Sequence, residues 1–204
     1  MYRVYPSLVL GFHLCEREVG EKALANDKNT LRPSQNEYDW LGHGVYFWEN
    51  SPDRANQFAA DVKGTKWERK NPFVLGAVIY LGRCFNLLDM NCLNLLKESY
   101  RDFADISAKV GIDMPQNRPG VSGRDLLYRS LDCAIIQFMH SQVKHKGHLS
   151  YDTIRGAFWE GGELYPNAGL EKKNHVQICV RNPNSIKGFF RPLKRHGGDL
   201  FPGF

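Results

Sequence analysis

Residues 7–15 run Ser-Leu-Val-Leu-Gly-Phe-His-Leu-Cys, apolar enough for a central strand. Residues 16–25 follow with charges at helical spacing and predict a helix, and residues 26–39 read as a loop. Val45-Tyr46-Phe47-Trp48, within residues 41–49, is a β-prone run. Ser51-Pro52-Asp53 then opens a helix that reaches about Val62, with proline in the first turn. Residues 73–84 are rich in Val, Ile, Leu and Tyr, the composition of a buried strand in the middle of a sheet. Residues 91–110 and 123–142 carry apolar side chains at helical spacing, such as Leu127, Leu131, Ile135 and Met139, and predict two helices. The stretch between them, residues 111–122, holds glycine and proline and reads as a loop, as do residues 160–169. In residues 175–180 Val176, Ile178 and Val180 alternate with His175, Gln177 and Cys179, a strand with one apolar and one polar face, closed by the turn Arg181-Asn182-Pro183-Asn184. No repeat or linker divides the chain, so a single α+β domain over residues 1–204 is expected.

Composition narrows this only a little. With 204 residues, 42% of them hydrophobic, 24% charged and 12% aromatic, the chain can bury a core, which excludes disordered, collagen-like and coiled-coil classes. No run approaches the roughly 18 apolar residues of a membrane span, and residues 1–6 lack a basic segment followed by an apolar one, so no membrane association and a cytoplasmic location are expected. The five cysteines show neither C-x-x-C spacing nor a neighbouring histidine pattern, and they read as reduced thiols with no metal. Charge is informative in its distribution: residues 1–140 balance, and the whole net charge of +5 falls in residues 141–204. That excess either attracts an anionic partner or coats a solvated face.

Three segments place polar or aromatic groups where a strand meets a glycine-containing loop: Leu10-Gly11-Phe12-His13, Gly42-His43-Gly44-Val45-Tyr46-Phe47, and His175-Val176-Gln177-Ile178-Cys179-Val180. Singly, each has an ordinary structural reading: His13 as a satisfied core histidine, Tyr46 as a core aromatic, the third as an edge strand with a solvated face. Together they resemble the ADP-ribosyltransferase superfamily, in its diphtheria-toxin-like and poly(ADP-ribose)-polymerase-like branch. That branch has a His on the first strand, a Tyr on the second within Gly-x-Gly-hydrophobic-Tyr-Phe, and a Glu on a late strand. Here His13 and Tyr46 fill the first two positions, Ser51-Pro52-Asp53-Arg54-Ala55-Asn56 resembles the small-residue helix that follows, and Gln177 stands in the place of the glutamate.

The resemblance implies a split β-sandwich with flanking helices. It also implies NAD as substrate, cleaved at the nicotinamide–ribose bond through an oxocarbenium-like transition state, with ADP-ribose passed to a macromolecule. His13 would hydrogen-bond the adenosine ribose, and backbone at Phe12, His13 and Leu14 would clamp the nicotinamide amide. Tyr46 would stack on the nicotinamide ring, with Phe58 closing the other side and Gly44 allowing close approach. Leu14 replaces the family's usual glycine, so its side chain must point away from the nicotinamide. Gln177 can orient the ribose hydroxyl but lacks the carboxylate charge, which Glu160 or Glu163 could supply from the preceding loop. The missing glutamate favours mono- over poly-ADP-ribosylation.

Arg155, Lys172, Lys173, Arg181, Lys187 and Arg191 interleave with Phe158, Trp159, Tyr165, Phe189 and Phe190, a mixture suited to nucleic acid or to a core with a basic exterior. In the superfamily the loop before the late strand helps choose the acceptor, which makes residues 160–174 the candidate acceptor-reading segment. RNA or another nucleic acid is expected ahead of protein. A compact transferase of this kind suits a bacterial toxin or phage-defence effector held in check by a neutralising antitoxin. The rival expectation is an NAD- or nucleic-acid-binding module that kept the fold without activity.

Overall fold

The computed structural model describes residues 8–25, 31–120 and 125–193. In chain order the elements are β1 (Leu8–Glu16), α1 (Arg17–Leu24), β2 (Val45–Glu49), α2 (Pro52–Asp61), β3 (Pro72–Tyr80), β4 (Cys84–Asn86), α3 (Met90–Val110), β5 (Asn117–Arg118), β6 (Tyr128–Arg129), α4 (Ser130–His145), β7 (Thr153–Phe158), β8 (His175–Val180) and β9 (Ile186–Phe190). Seven strands form one mixed sheet in the order β4-β7-β8-β2-β1-β3-β9, and β5 pairs with β6 in a small separate ribbon. The fold is α+β, and no helix among the described residues is long and apolar enough to cross a membrane.

Local chemistry accounts for the start of α2 and both ends of α3. The Ser51 side chain accepts from the Arg54 amide at 3.3 Å with Pro52 in the first turn of α2, and Asp89 caps α3 by accepting from Asn91 and Cys92. Gly111 ends α3 in the left-handed region at φ 74°. Two expected elements differ. Residues 73–84 are not one strand, because the chain turns at Gly82 (φ 57°) between β3 and β4. The fourth helix starts at Ser130 rather than near residue 123, which lies with Ser7 and residues 26–30 outside the described residues. Its start is fixed from afar: the Asn117 side chain on β5 accepts from the Leu131 and Asp132 amides at 3.0 and 3.3 Å.

The sheet is uneven along its length. β1 pairs with β3 residue by residue from Leu8↔Tyr80 to Glu16↔Pro72, whereas β1 and β2 meet only at Gly11↔Glu49 and Phe12↔Trp48. Below this short joint lies a fully buried cluster of Val9, Ala77 and Ile79 from one side and Val45, Phe47, Ile178 and Val180 from the other. Among the described residues no helical residue belongs to it, and residues of β1 and β3 meet residues of β2 and β8 across the joint. Gly11 sits at the joint, where a Cβ would come within 2.5 Å of Ile79 and 2.8 Å of Phe47. Three further clusters seat the helices: α2 on Phe12, Leu14 and Trp48, α3 and α4 on Phe85, Ile154 and Cys179, and α1 on Cys15, Phe73 and Leu75.

Candidate functional site

The three signature residues come from β1, β2 and β8, which are consecutive in the sheet although His13 and Gln177 lie far apart in the chain. Register places Phe12, Trp48 and Gln177 in one row across these strands. His13 is the residue after Phe12, and Tyr46 lies two residues before Trp48.

At the joint a side chain interrupts the ladder. The Asn50 amide donates to the Leu10 carbonyl at 2.9 Å, so the backbone groups of Leu10, and by alternation those of Phe12 and Leu14, face β2. Continued pairing would bring Leu14 opposite Tyr46. Instead the Tyr46 carbonyl accepts from His13 Nδ1 at 2.7 Å. A carbonyl can only accept, so Nδ1 carries the proton and Nε2 keeps a lone pair in the neutral ring. Burial lowers the His13 pKa, the nearby Arg69 charge lowers it further, and the Tyr46 carbonyl works in the opposite direction. Beyond Phe12 the β2-facing edge of β1 is therefore unpaired with β2. The Leu14 side chain is buried beneath α2 with Phe12 and Ala55, in the same cluster as Phe58.

Tyr46 is tied to its own loop. Its hydroxyl donates to the Gly42 carbonyl at 2.7 Å and accepts from the Leu41 amide at 2.8 Å, and burial pushes its pKa well up. The two motif glycines serve this loop. Gly42 adopts φ 72°, and Gly44, whose amide and carbonyl both bond Ser34, lies so close to β8 that a Cβ would fall 2.5 Å from Cys179 Sγ. Phe58 packs on Trp48 at 5.1 Å between ring centres and belongs to the α2 cluster, while Tyr46 packs with the α3–α4 cluster. The two aromatics expected to sandwich a ring thus belong to different clusters.

Gln177 is half-buried, and its side-chain nitrogen lies 3.1 Å from His175 Nε2. His175 is buried between Trp40 and Phe158, and burial brings its pKa down to about 4. Glu160, which the sequence offers as an alternative carboxylate, is buried and bonded to Arg54 Nη2 at 3.2 Å, with its Oε2 3.6 Å from His175 Nδ1. Arg54 also bonds Asp61, which in turn holds Lys173 at 2.9 Å, so four charges fasten α2 to both ends of the segment before β8. Burial raises the Glu160 pKa even though the Arg54 charge opposes the shift. Trp48 Nε1 and Arg54 Nε, both buried, have no hydrogen-bond partner among the described residues. Sequence reasoning missed Arg54 and His175 as parts of this site. The alternation of β8 did put His175 on the same face as Gln177, whereas nothing local marks Arg54.

The segment leading into β8 is a pinched loop. Backbone bonds Lys173→Glu160, Lys172→Gly162 and Leu164→Leu170 close its base, and Glu163 accepts from the Asn167 amide near its exposed tip. Leu164, Tyr165 and Leu170 are exposed there, and Trp159 is exposed at the base. Five of the six basic residues singled out in the sequence have partners: Arg155 pairs with Glu49, Arg191 with Glu21 and Lys173 with Asp61, Arg181 bonds Gln137 at 2.7 Å and Lys187 bonds the Asn184 carbonyl, while Lys172 is exposed beside the loop. Phe158 is buried and Phe189 and Phe190 are half-buried, so those rings belong to the core. Comparisons of the chain with protein-family models, with curated proteins and with solved structures give no match.

Proposed function

We propose that the protein is a mono-ADP-ribosyltransferase that binds NAD in the crevice between β1 and β2, on a split β-sandwich bent at that joint. The carrying observation is the bond from His13 to the Tyr46 carbonyl, which takes the acceptor that the ladder would give to Leu14. It supports two ligand contacts at once. The bare Nε2 of His13 accepts from a ribose hydroxyl, and the backbone N–H and C=O of Leu14 are oriented to meet the two ends of a carboxamide. Burial of the Leu14 side chain on the α2 side keeps that backbone edge accessible. The partnerless donors on Trp48 and Arg54 favour an oxygen-rich ligand beside Gln177.

Cleavage of the nicotinamide–ribose bond builds positive charge on the ribose, and the protein accelerates it by orienting the dinucleotide and by placing negative ends of dipoles near that charge. Gln177 supplies a carbonyl dipole there. Glu160 is engaged by Arg54 and holds its own loop, a role that fits positioning better than direct contact with the ribose. Nucleic acid remains the proposed acceptor, with exposed Trp159 and Tyr165 offering stacking surfaces and Lys172 a phosphate contact.

A second reading, a module that binds NAD without transferring ADP-ribose, is favoured by one observation: the late-strand position carries Gln177, an amide without the carboxylate charge. Incubation with labelled NAD alone, with RNA and with protein separates these readings. The transferase releases nicotinamide and labels RNA; the module gives a thermal shift with NAD and no nicotinamide. Absence of both responses at millimolar NAD rejects the assignment.

A further inference from the structure

We propose that His175 is a positioning residue that locks the Gln177 side-chain amide with its nitrogen inward and its carbonyl oxygen outward, making Gln177 a pure acceptor toward its ligand. The ligand's identity as a ribose hydroxyl rests on the ADP-ribosyltransferase reading; the lock itself does not.

The lock follows from a chain of donors and acceptors. His175 Nδ1 lies 2.7 Å from the Lys173 carbonyl and 3.6 Å from a Glu160 carboxylate oxygen, and both of these only accept. Nδ1 therefore carries the ring proton. Arg54 on α2 and Arg129 on β6 stand near the ring, and together with its burial they disfavour a second proton. Nε2 is thus a bare lone pair, and only a donor can sit 3.1 Å from it. Gln177 has one donating end, its NH2 group, so its carbonyl oxygen occupies the opposite arm of the amide. The orientation of an amide is otherwise a two-fold choice that solvent leaves open. Here it is set two residues away by a tautomer, and the tautomer is set by the carbonyl of Lys173.

A glutamine fixed in this way offers what a carboxylate offers to a hydroxyl proton, an oxygen acceptor, without the full charge. An unlocked amide would spend part of its time presenting NH2, which cannot accept the hydroxyl proton and which turns the positive end of its dipole toward the developing cation.

The orientation can be read without any activity. In nitrogen-15-labelled protein at neutral pH, a long-range proton–nitrogen spectrum is expected to show His175 as the neutral Nδ1–H tautomer, with scalar coupling between its Nε2 and the Gln177 amide nitrogen. An Nε2–H tautomer, or a doubly protonated ring, overturns the proposal. In turnover, His175→Phe keeps a ring between Trp40 and Phe158 but removes the acceptor, and it is expected to slow nicotinamide release about tenfold to a hundredfold while the thermal shift with NAD persists. His175→Gln, which can return an oxygen acceptor to the Nε2 position, is expected to recover most of that loss. Wild-type rates in His175→Phe also overturn the proposal. If the wild-type protein neither binds nor cleaves NAD, the transferase reading falls, and the spectrum still decides the orientation of Gln177.

Discussion

The two neighbours of β1 hold it in different ways. Against β3 it is zipped along its whole length by backbone, so most substitutions there change side chains that the pairing does not depend on. Against β2 it makes a joint two residues long, and what keeps that joint in place is side chains, Phe47 below it and His13 at its end, with Gly11 leaving room between Ile79 and Phe47. Backbone pairing tolerates sequence change, while a joint made of side chains records each one. The same contrast separates the part of the sheet that stabilises the fold from the part that offers a ligand unpaired groups.

The sharpest way to break this comparison is Phe47→Ala. The ring is fully buried and shared by both sides of the sheet, so a loss of about 3–5 kcal/mol is expected in denaturant unfolding, against about 1 kcal/mol for Val74→Ala on the β1/β3 ladder. Similar losses would mean that the joint is no more dependent on side chains than the ladder. Next in size is a pH effect set by buried histidines, His13 at the joint and His140 and His175 toward β8. His140 and His175 both fall to about 4 through burial, below the ordinary histidine value, so the unfolded chain takes up protons that the folded one refuses. Stability is then expected to fall from pH 6.5 toward pH 4 by about 2–3 kcal/mol per histidine at most, with the raised Glu160 pKa offsetting part of it. Thermal melts of wild type and His140→Phe across this range check the sign, and the variant is expected to show the shallower decline.

Tyr46→Phe removes two backbone partners at once and is expected to cost about 1–3 kcal/mol by thermal unfolding while preserving the thermal shift with NAD. Loss of that shift would move the Tyr46 hydroxyl from loop anchor to ligand contact. His13→Ala tests the joint itself: a change of about 1 kcal/mol in stability is expected, together with loss of the NAD response, because the Tyr46 carbonyl becomes free to pair with Leu14. Smallest in stability is Gln177→Glu, within about 1 kcal/mol of wild type, yet nicotinamide release is expected to rise about tenfold or more as a carboxylate replaces a dipole. Its new charge also faces the His175 lone pair, so the His175 pKa is expected to rise by NMR titration. An unmoved His175 would show that residue 177 does not face it.

The parts of this architecture that were legible in the sequence are those whose cause is local. The apolar run of β1, the alternation of β8 and the Ser51-Pro52 start of α2 all lie within a few residues of what they produce. β7 was not legible, because Thr-Ile-Arg-Gly-Ala-Phe carries a charge and a glycine at its centre; Arg155 is paired there with Glu49 of β2. β9 fails for a similar reason, a short run broken by Lys187 and Gly188. The start of α4 depends on Asn117, and the burial of Glu160 depends on Arg54, a partner 106 residues away. Within the candidate site, His13, Tyr46 and Gln177 could be named from motif spacing. The direction of the Tyr46 hydroxyl and the bond between Gln177 and His175 belong to tertiary packing, which one-dimensional spacing does not carry.

The pinched loop before β8 has a consequence for how the chain can be lengthened or cut. Its base is closed twice, by backbone bonds between residues 160 and 173 and by the charges that tie both ends to α2. The entropy of closing the loop is therefore met at its neck, and residues beyond the neck add to it only logarithmically, about 0.6 kcal/mol for each doubling of length. A foreign segment spliced between Tyr165 and Gly169, or a protease nick there, leaves β7 and β8 paired and Gln177 where it is. Descendants of this chain could thus replace the whole tip, with its exposed leucines and tyrosine, in a single insertion event, whereas the same insertion a few residues nearer the neck would separate Glu160 from Arg54 and unseat the strand.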